Sequence, residues 1–122
     1  MYGFGDIMKT VHSNEEYVKM LLQGKISICL FTSFACSDCT TTKQIVADLE
    51  KDYPEIGFYL VDRNELAALS KDLGVNVVPS FLSYKNGQEL SRFMTPYPKT
   101  RAEIISYINM NCQKGGSVCS KI

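Results

Sequence analysis

The first half of the chain alternates between helical and strand-like spacing of its hydrophobic residues. Ser13 and Glu16 have the spacing of a capping box. The helix that should follow has an apolar stripe formed by Tyr17, Val18, Leu21 and Leu22. The apolar run at residues 26–31 then predicts a short strand that is buried on both faces. Apolar residues at helical spacing, followed by a proline, predict a second helix: Ile45, Val46, Leu49, Tyr53 and Pro54.

The second half of the chain predicts further strands and helices and then a hairpin. Asn86-Gly87 is a strong signal for a two-residue turn between antiparallel strands. A short edge strand is also expected near Val11, before the first helix. The order predicts an α/β fold in which helices cover both faces of one central mixed sheet. The remaining predicted elements are a strand at 58–61, a helix at 65–73, strands at 80–84 and 88–93, and an amphipathic helix at 100–110.

The length of the chain is that of one ordinary domain. With 122 residues, of which 45% are hydrophobic and 21% charged, the chain is expected to bury one packed core. The predicted organisation is an N-terminal extension at 1–8, a folded domain at 9–111 and a flexible C-terminal tail at 112–122. Met1 and Met8 are both candidates for the native start.

Charge and hydropathy exclude two classes of partner. The 13 basic and 13 acidic residues give a formal net charge of zero. The basic residues do not cluster in one block, so binding to nucleic acid is not predicted. The longest apolar run is far too short to span a bilayer, so no membrane association is expected. Because the first residues lack the apolar core of a signal peptide, we expect a cytoplasmic protein. We also expect the protein to be a monomer.

Five cysteines are many for a chain of this size. Their odd number, without a signal peptide, argues against the disulfide framework of a small secreted protein. Cys29 lies in a predicted buried strand and is expected to act as a small hydrophobic residue. Cys112 and Cys119 are expected to be bystander thiols. The alternatives are that they bridge a short loop or attach the tail to a partner.

Cys36 and Cys39 lie where the strand at 26–31 gives way to a helix. The free N–H groups and partial positive charge of a helix N-terminus stabilise a thiolate, which is the reactive form of cysteine. Two intervening residues bring the second sulfur within reach, so Cys39 can resolve a mixed disulfide formed by Cys36. The pattern predicts a redox-active dithiol that requires no bound cofactor.

Three other functions use cysteines in a similar pattern. A structural zinc site needs four ligands, and Cys112 and Cys119 are too widely spaced to supply a good second pair, so no metal site is expected. An inert cysteine pair on a redox-inactive fold is the second alternative. A Cys–His hydrolase is not favoured, since no local pattern makes His12 a base for a cysteine nucleophile.

The chain resembles the thioredoxins over residues 9–110. The resemblance rests on Cys36 and Cys39, on the segment 78–81 (VPSF) and on the segment 85–87 (KNG). It implies a thioredoxin fold, with a cis bond before Pro79, which faces the dithiol, and with the backbone of Val78 pairing with substrate. It also implies a disulfide-containing protein or small thiol compound as substrate, and reduction by an upstream reductase or a low-molecular-weight thiol.

A narrower resemblance is to small bacterial thioredoxin-like proteins with a Cys-x-Asp-Cys motif. It is carried by the segments 61–65 (VDRNE), 79–81 (PSF), 92–93 (RF) and 99–104 (KTRAEI). This resemblance implies a cytoplasmic redox protein and does not identify a substrate.

Among the departures from the general thioredoxin pattern, four positions are expected to tune the dithiol. Ala35 replaces a tryptophan, Ser37 and Asp38 replace Gly-Pro, and Leu30 replaces a buried aspartate that is thought to deprotonate the resolving cysteine. The charge of Asp38 disfavours a thiolate on Cys36 and therefore favours a reductant. Alternatively, Asp38 recognises a cationic substrate group or only stabilises the helix N-terminus.

The sequence therefore predicts a thiol–disulfide oxidoreductase that acts mainly as a disulfide reductase. The alternative is a thioredoxin-fold binding module with poor redox turnover. Leu30 and Ala35 favour that alternative, because they remove two features of the general redox site.

Overall fold

The computed structural model describes residues 8–116 and residue 119. In this part of the chain, five strands form one mixed sheet in the order β1-β3-β2-β4-β5. Strands β1, β3 and β2 are parallel, while β4 is antiparallel to β2 and β5 is antiparallel to β4. The elements are β1 (Lys9–Val11), α1 (Asn14–Leu21), β2 (Ser27–Thr32), α2 (Ser37–Glu50), β3 (Gly57–Asp62), α3 (Ala67–Asp72), β4 (Ser80–Lys85), β5 (Gln88–Met94) and α4 (Arg101–Lys114).

The sheet confirms the predicted architecture, including the short edge strand β1. Two hydrophobic clusters fill the space between the sheet and the helices. One cluster packs β2 against α2 and α4, and the other packs the opposite face against α1 and the region of α3. Helices therefore cover both faces of the sheet, as predicted. None of the helices between residues 8 and 116 is long and apolar enough to cross a membrane.

The buried face of α1 differs from the predicted stripe. Tyr17 and Met20 are buried and Leu21 packs partly against the core, whereas Val18 is 51% exposed and Leu22 is 75% exposed. The helical period places positions i, i+3 and i+4 on one face, so Met20 and Leu21 share the face of Tyr17. The prediction for Val18 and Leu22 was wrong because both lie on neighbouring, solvent-facing positions of the helix.

The two longer helices end elsewhere than predicted. Helix α2 ends at Glu50, and Tyr53 lies beyond it, although Tyr53 is buried and its hydroxyl donates to Asn109 at 3.0 Å. Helix α4 begins with a reciprocal capping box between Thr100 and Glu103 and continues to Lys114, four residues past its predicted end.

Cys112 lies inside α4 and not in a tail. It is 4% exposed and forms a disulfide with Cys119, which packs partly buried against the same core. The expectation of two bystander thiols was therefore wrong, because the chain turns back at Gly115 and Gly116 and returns Cys119 to the helix end. Most of the predicted N-terminal extension and of the predicted tail beyond residue 116 lies outside the described residues.

Opening the Cys112–Cys119 disulfide is expected to lower the free energy of unfolding. The bond closes a loop with a sequence separation of 7, and closing a loop this short corresponds to about 2–3 kcal/mol of entropy removed from the unfolded chain. Cys119→Ser should therefore unfold at lower urea concentration than the oxidised parent. As the control, the two proteins should have the same midpoint when both are fully reduced. A variant as stable as the oxidised parent would contradict the prediction.

Candidate active site at the start of the second helix

Cys36 is the N-cap residue of α2, and Cys39 lies in the first turn of that helix. Cys36 has extended backbone angles (φ −108°, ψ 110°), and its Sγ accepts the backbone N–H of Cys39 at 3.1 Å. The preceding turn is closed by the N–H of Cys36, which donates to the carbonyl of Ser33 at 3.1 Å. The two cysteines form a disulfide. Strand β2 and this turn therefore place the Cys36 sulfur at the positive end of a helix.

The two cysteines differ in their access to solvent. Cys36 is half-buried, whereas Cys39 is 2% exposed and belongs to the buried face of α2. An incoming disulfide can therefore reach Cys36 and not Cys39. This asymmetry is what sequential attack and resolution require.

The loop before β4 faces the dithiol. The Val78–Pro79 peptide bond is cis, as the resemblance implies. The carbonyl oxygen of Val78 lies 3.9 Å from the Sγ of Cys36, and Pro79 is buried beneath it. The loop is held by Ser80, whose hydroxyl donates to the carbonyl of Val77 at 2.6 Å. The structure thus brings Val78 and Pro79 next to Cys36, although they are about 40 residues apart in sequence.

Four side chains around the dithiol reach the solvent. Ala35, Ser37 and Asp38 are exposed, and Phe34 is 88% exposed. Asp38 lies in the first turn of α2, where its charge is favourable for the helix N-terminus. The same charge is unfavourable for a thiolate on Cys36.

Leu30 occupies an apolar position on the face of the sheet that packs against α2. It is 1% exposed and lies opposite Leu60 on β3 and Phe81 on β4. None of the Asp and Glu side chains in the described part of the chain is buried. Cys39 therefore has no buried carboxylate beside it among the described residues.

A cavity lies beside Cys39. It has a volume of about 340 Å³, and one wall includes Cys39. His12 is at its edge, with Nδ1 3.0 Å from a carboxylate oxygen of Glu65, and the backbone N–H of His12 donates to Glu16 at 2.7 Å. The sequence predicted no role for His12, and no local motif connects it with Cys39. The other polar or charged residues of this wall include Thr32, Lys43 and Asp62.

Lys99 is a further residue that the sequence did not indicate as part of the site. It is 5% exposed, and its Nζ donates a hydrogen bond to the carbonyl of Pro79. The only signal for its position in the sequence is that it precedes Thr100, the N-cap of α4. Neither spacing nor composition distinguishes this lysine from a surface lysine.

The other cysteines lie away from the dithiol. Cys29 is completely buried, its Sγ is 3.1 Å from the sulfur of Met20, and burial raises the pKa of its thiol well above the ordinary value. This confirms Cys29 as a small hydrophobic residue. The Cys112 disulfide lies near Ile26, at the opposite end of β2 from Cys36, which is about 20 Å along a six-residue strand.

Comparison with known proteins identifies the fold and the family. The Thioredoxin family model matches residues 8–110. A Thioredoxin H-type protein of Fagopyrum esculentum is 32% identical over 81 residues, which cover 66% of this chain and 70% of that protein. An inactive TPR repeat-containing thioredoxin of Arabidopsis thaliana is 28% identical over 94 residues, which cover 77% of this chain and 14% of that protein.

The structural comparison agrees with the sequence comparison. The structure of Plasmodium falciparum thioredoxin superimposes with a TM-score of 0.78 at 21% identity, covering 84% of this chain and 98% of that one. The five-stranded mixed sheet with helices on both faces is therefore a thioredoxin fold. The chain belongs to the thioredoxin family, and with its Cys36–Cys39 disulfide it is a thiol–disulfide oxidoreductase.

Proposed function

We propose that the protein acts mainly as a disulfide reductase, with Cys36 as the attacking residue and Cys39 as the resolving residue. The observation that carries the proposal is the half-buried sulfur of Cys36 at the N-terminus of α2, paired with the buried sulfur of Cys39. The Cys36 thiolate attacks one sulfur of the substrate disulfide, forms a mixed disulfide and releases the first substrate thiolate. The Cys39 thiolate then attacks Cys36 and releases the second, so two electrons pass to the substrate.

The loop at Val78 and Pro79 provides the surface against which a substrate would lie. The Val78 backbone stands beside Cys36 and can pair with an extended segment of substrate. Phe34, which is exposed two residues before Cys36, adds an apolar contact at the same edge. We infer a disulfide-containing protein or a small disulfide as the substrate. An upstream reductase or a low-molecular-weight thiol would return the electrons.

Asp38 supports two parts of the proposal: that the protein reduces substrate disulfides, and that it is related to the Cys-x-Asp-Cys proteins. A carboxylate two residues from Cys36 disfavours the reduced, ionised dithiol and makes the couple a better electron donor. We also propose that the chain belongs with the Cys-x-Asp-Cys branch and works in the cytoplasm, where a reducing couple is kept reduced. The Cys-Ser-Asp-Cys segment supports this relationship.

A second candidate is a binding module in which the same surface holds a partner and redox turnover is slow. The buried, apolar Leu30 favours it, because the described part of the chain offers no buried carboxylate to deprotonate Cys39. The inactive relative from Arabidopsis thaliana shows that a matching chain can lack activity.

The redox potential of the Cys36–Cys39 couple tests the direction of transfer. Equilibration with glutathione buffers should give about −230 mV or lower, near the reducing end of the range for this kind of dithiol. Asp38→Asn should raise the potential, because the Cys36 thiolate, and with it the reduced form, becomes more stable. A parent potential above about −180 mV would instead indicate an oxidase or isomerase.

A further inference from the structure

Lys99 is the only charged side chain that is buried among residues 8–116 and 119. It is 5% exposed and lies in the connection between β5 and α4. Burying an ammonium group is costly unless hydrogen bonds or opposite charges compensate for the lost water. The contacts of Lys99 therefore show what its charge is placed to do.

The ammonium of Lys99 contacts two groups, a backbone carbonyl and an aromatic ring. Its Nζ donates to the carbonyl oxygen of Pro79 and lies 5.0 Å from the ring centroid of Phe93, in the range of a cation–π contact. Burial lowers the pKa of Lys99, while the nearby carboxylates of Glu103 and Asp38 act in the opposite direction. None of the ion pairs found within the described ranges includes Lys99.

The ammonium of Lys99 is linked to the redox site through the carbonyl of Pro79 and through the charge of Asp38. Pro79 follows Val78, whose carbonyl is 3.9 Å from the Cys36 sulfur. Asp38 lies two residues after Cys36 on α2 and interacts electrostatically with Lys99. The positive charge of Lys99 is opposite in sign to the carboxylate of Asp38, which disfavours a thiolate on Cys36.

We propose that Lys99 is a positioning residue of the dithiol site: it holds the carbonyl of Pro79 and supplies the positive charge that offsets Asp38 beside Cys36. The first role fixes the edge of the groove in which a substrate would pair with Val78. The second keeps enough of Cys36 ionised for attack at neutral pH, despite Asp38. The proposal rests on the proposed redox function and deepens it.

Other charges also face this region, and they are the same in every variant used to test the proposal. Glu103 faces Lys99 from the start of α4. On the side of Cys39, the cavity wall carries His12, Lys43, Asp62 and Glu65. A change in the pKa of Cys36 that follows substitution of Lys99 alone is therefore caused by the loss of the Lys99 ammonium.

The charge role is tested by the pH dependence of Cys36 alkylation in the reduced protein, with the Cys36 peptide quantified by mass spectrometry. Lys99→Met and Lys99→Gln should each raise the pKa of Cys36 by about 0.5 to 1, as expected when one partly shielded positive charge is removed from the surroundings of the thiolate. Lys99→Arg keeps the positive charge and should have the same alkylation profile as the parent. Asp38→Asn should shift the profile in the opposite direction.

Lys51→Met is the matched control, since it removes the same charge from an exposed lysine at the far end of α2. About 14 helical residues at 1.5 Å each place it roughly 21 Å from Cys36. This distance exceeds the screening length of about 8 Å at physiological salt, so the alkylation profile should not change. Equal profiles for the parent, Lys99→Met and Lys99→Gln would overturn the proposal.

The positioning role predicts a separate kinetic effect on a protein disulfide such as insulin. Lys99→Met should raise KM several-fold and more than Lys99→Gln does, because the glutamine amide still offers a donor to the Pro79 carbonyl. If both variants leave KM unchanged, Lys99 does not hold the groove. A structural role alone would lower the melting temperature without moving either readout.

A measurement on the unsubstituted protein covers the case in which these variants fail to fold. The ¹³Cε resonance of Lys99, assigned in the unsubstituted protein through bonds from its own backbone amide, is followed while the reduced protein is titrated through the ionisation of Cys36. We expect an inflection at the pKa of Cys36 that is absent from Cys36→Ser. Its absence from the parent would overturn the proposal. Alkylation and NMR require no turnover, so this result is distinct from failure of the reductase function.

Discussion

Replacing Cys36 with serine is expected to abolish disulfide exchange. Cys36 is the half-buried sulfur at the N-terminus of α2, and a serine hydroxyl at the same place is not ionised at neutral pH. Cys39 cannot substitute for it, because Cys39 is 2% exposed. Reduction of insulin disulfides by Cys36→Ser should fall to the background rate of dithiothreitol alone. Exchange above that background would mean that another sulfur attacks.

Cys39→Ser should attack but fail to complete the reaction. The mixed disulfide on Cys36 then has no neighbouring thiol to resolve it, so a covalent adduct should accumulate and be released by dithiothreitol. Intact-protein mass spectrometry in cell extract measures this adduct and identifies the trapped substrate. A folded Cys39→Ser that traps nothing would contradict the assigned roles and favour the binding module.

The control for both variants removes the three cysteines outside the motif. With Cys29, Cys112 and Cys119 all replaced by alanine, most of the activity should remain. Cys29 is completely buried, and the disulfide of Cys112 lies at the other end of β2. Some stability should be lost with that disulfide, so folding is checked first by circular dichroism. If the triple variant is folded and inactive, these sulfurs take part in electron transfer.

Leu30→Asp is expected to have the largest effect on stability and to change the rate as well. Leu30 is 1% exposed within the core between the sheet and α2. Losing the buried leucine costs about 1.5–3 kcal/mol, and leaving a buried polar group without a partner costs about 1–3 kcal/mol more. A carboxylate on this face can accept the proton of Cys39, so resolution should accelerate by on the order of tenfold or more per folded molecule.

Leu30→Asn separates these two effects, because it has nearly the same shape and polarity and cannot accept a proton in this way. Burial should raise the pKa of the introduced carboxyl above its value of about 3.9 in the unfolded chain. The aspartate variant should then lose stability relative to Leu30→Asn as the pH rises above about 4, since the unfolded state releases its proton first. If Leu30→Asp reduces insulin no faster than Leu30→Asn, the missing acid does not limit this protein.

The fold was largely predictable because its determinants are local. Asn86 and Gly87 adopt positive φ values of 53° and 81°, as the two-residue turn requires, and they connect β4 to β5. The apolar run that predicted β2 is displaced by only one residue, to Ser27–Thr32. Helical periodicity alone predicted the wrong phase at Val18 and Leu22, because packing of Tyr17 and Met20 against β2 and β4 decides which side of α1 is buried.

The residues that the sequence did not reveal are those whose roles depend on distant segments. Cys36 and Cys39 belong to one turn, so their spacing, together with their position between an apolar strand and a helix, indicated a dithiol. Lys99 meets Pro79 only because the β5–α4 connection folds over the loop before β4. His12 lies at the cavity beside Cys39 because β1 pairs with β3. The periodicity of the sequence predicts neither the contact of Lys99 with Pro79 nor the position of His12 beside Cys39.

The reduction of insulin disulfides by the parent protein, with dithiothreitol as the electron donor, tests the central claim most directly. The turbidity of the released insulin B chain should appear faster with catalytic amounts of the protein than with dithiothreitol alone. Because Cys36 and Cys39 are regenerated in each cycle, the rate should rise in proportion to protein concentration. A folded, fully reduced protein that leaves the dithiothreitol rate unchanged would contradict the proposed reductase and leave the binding module as the function.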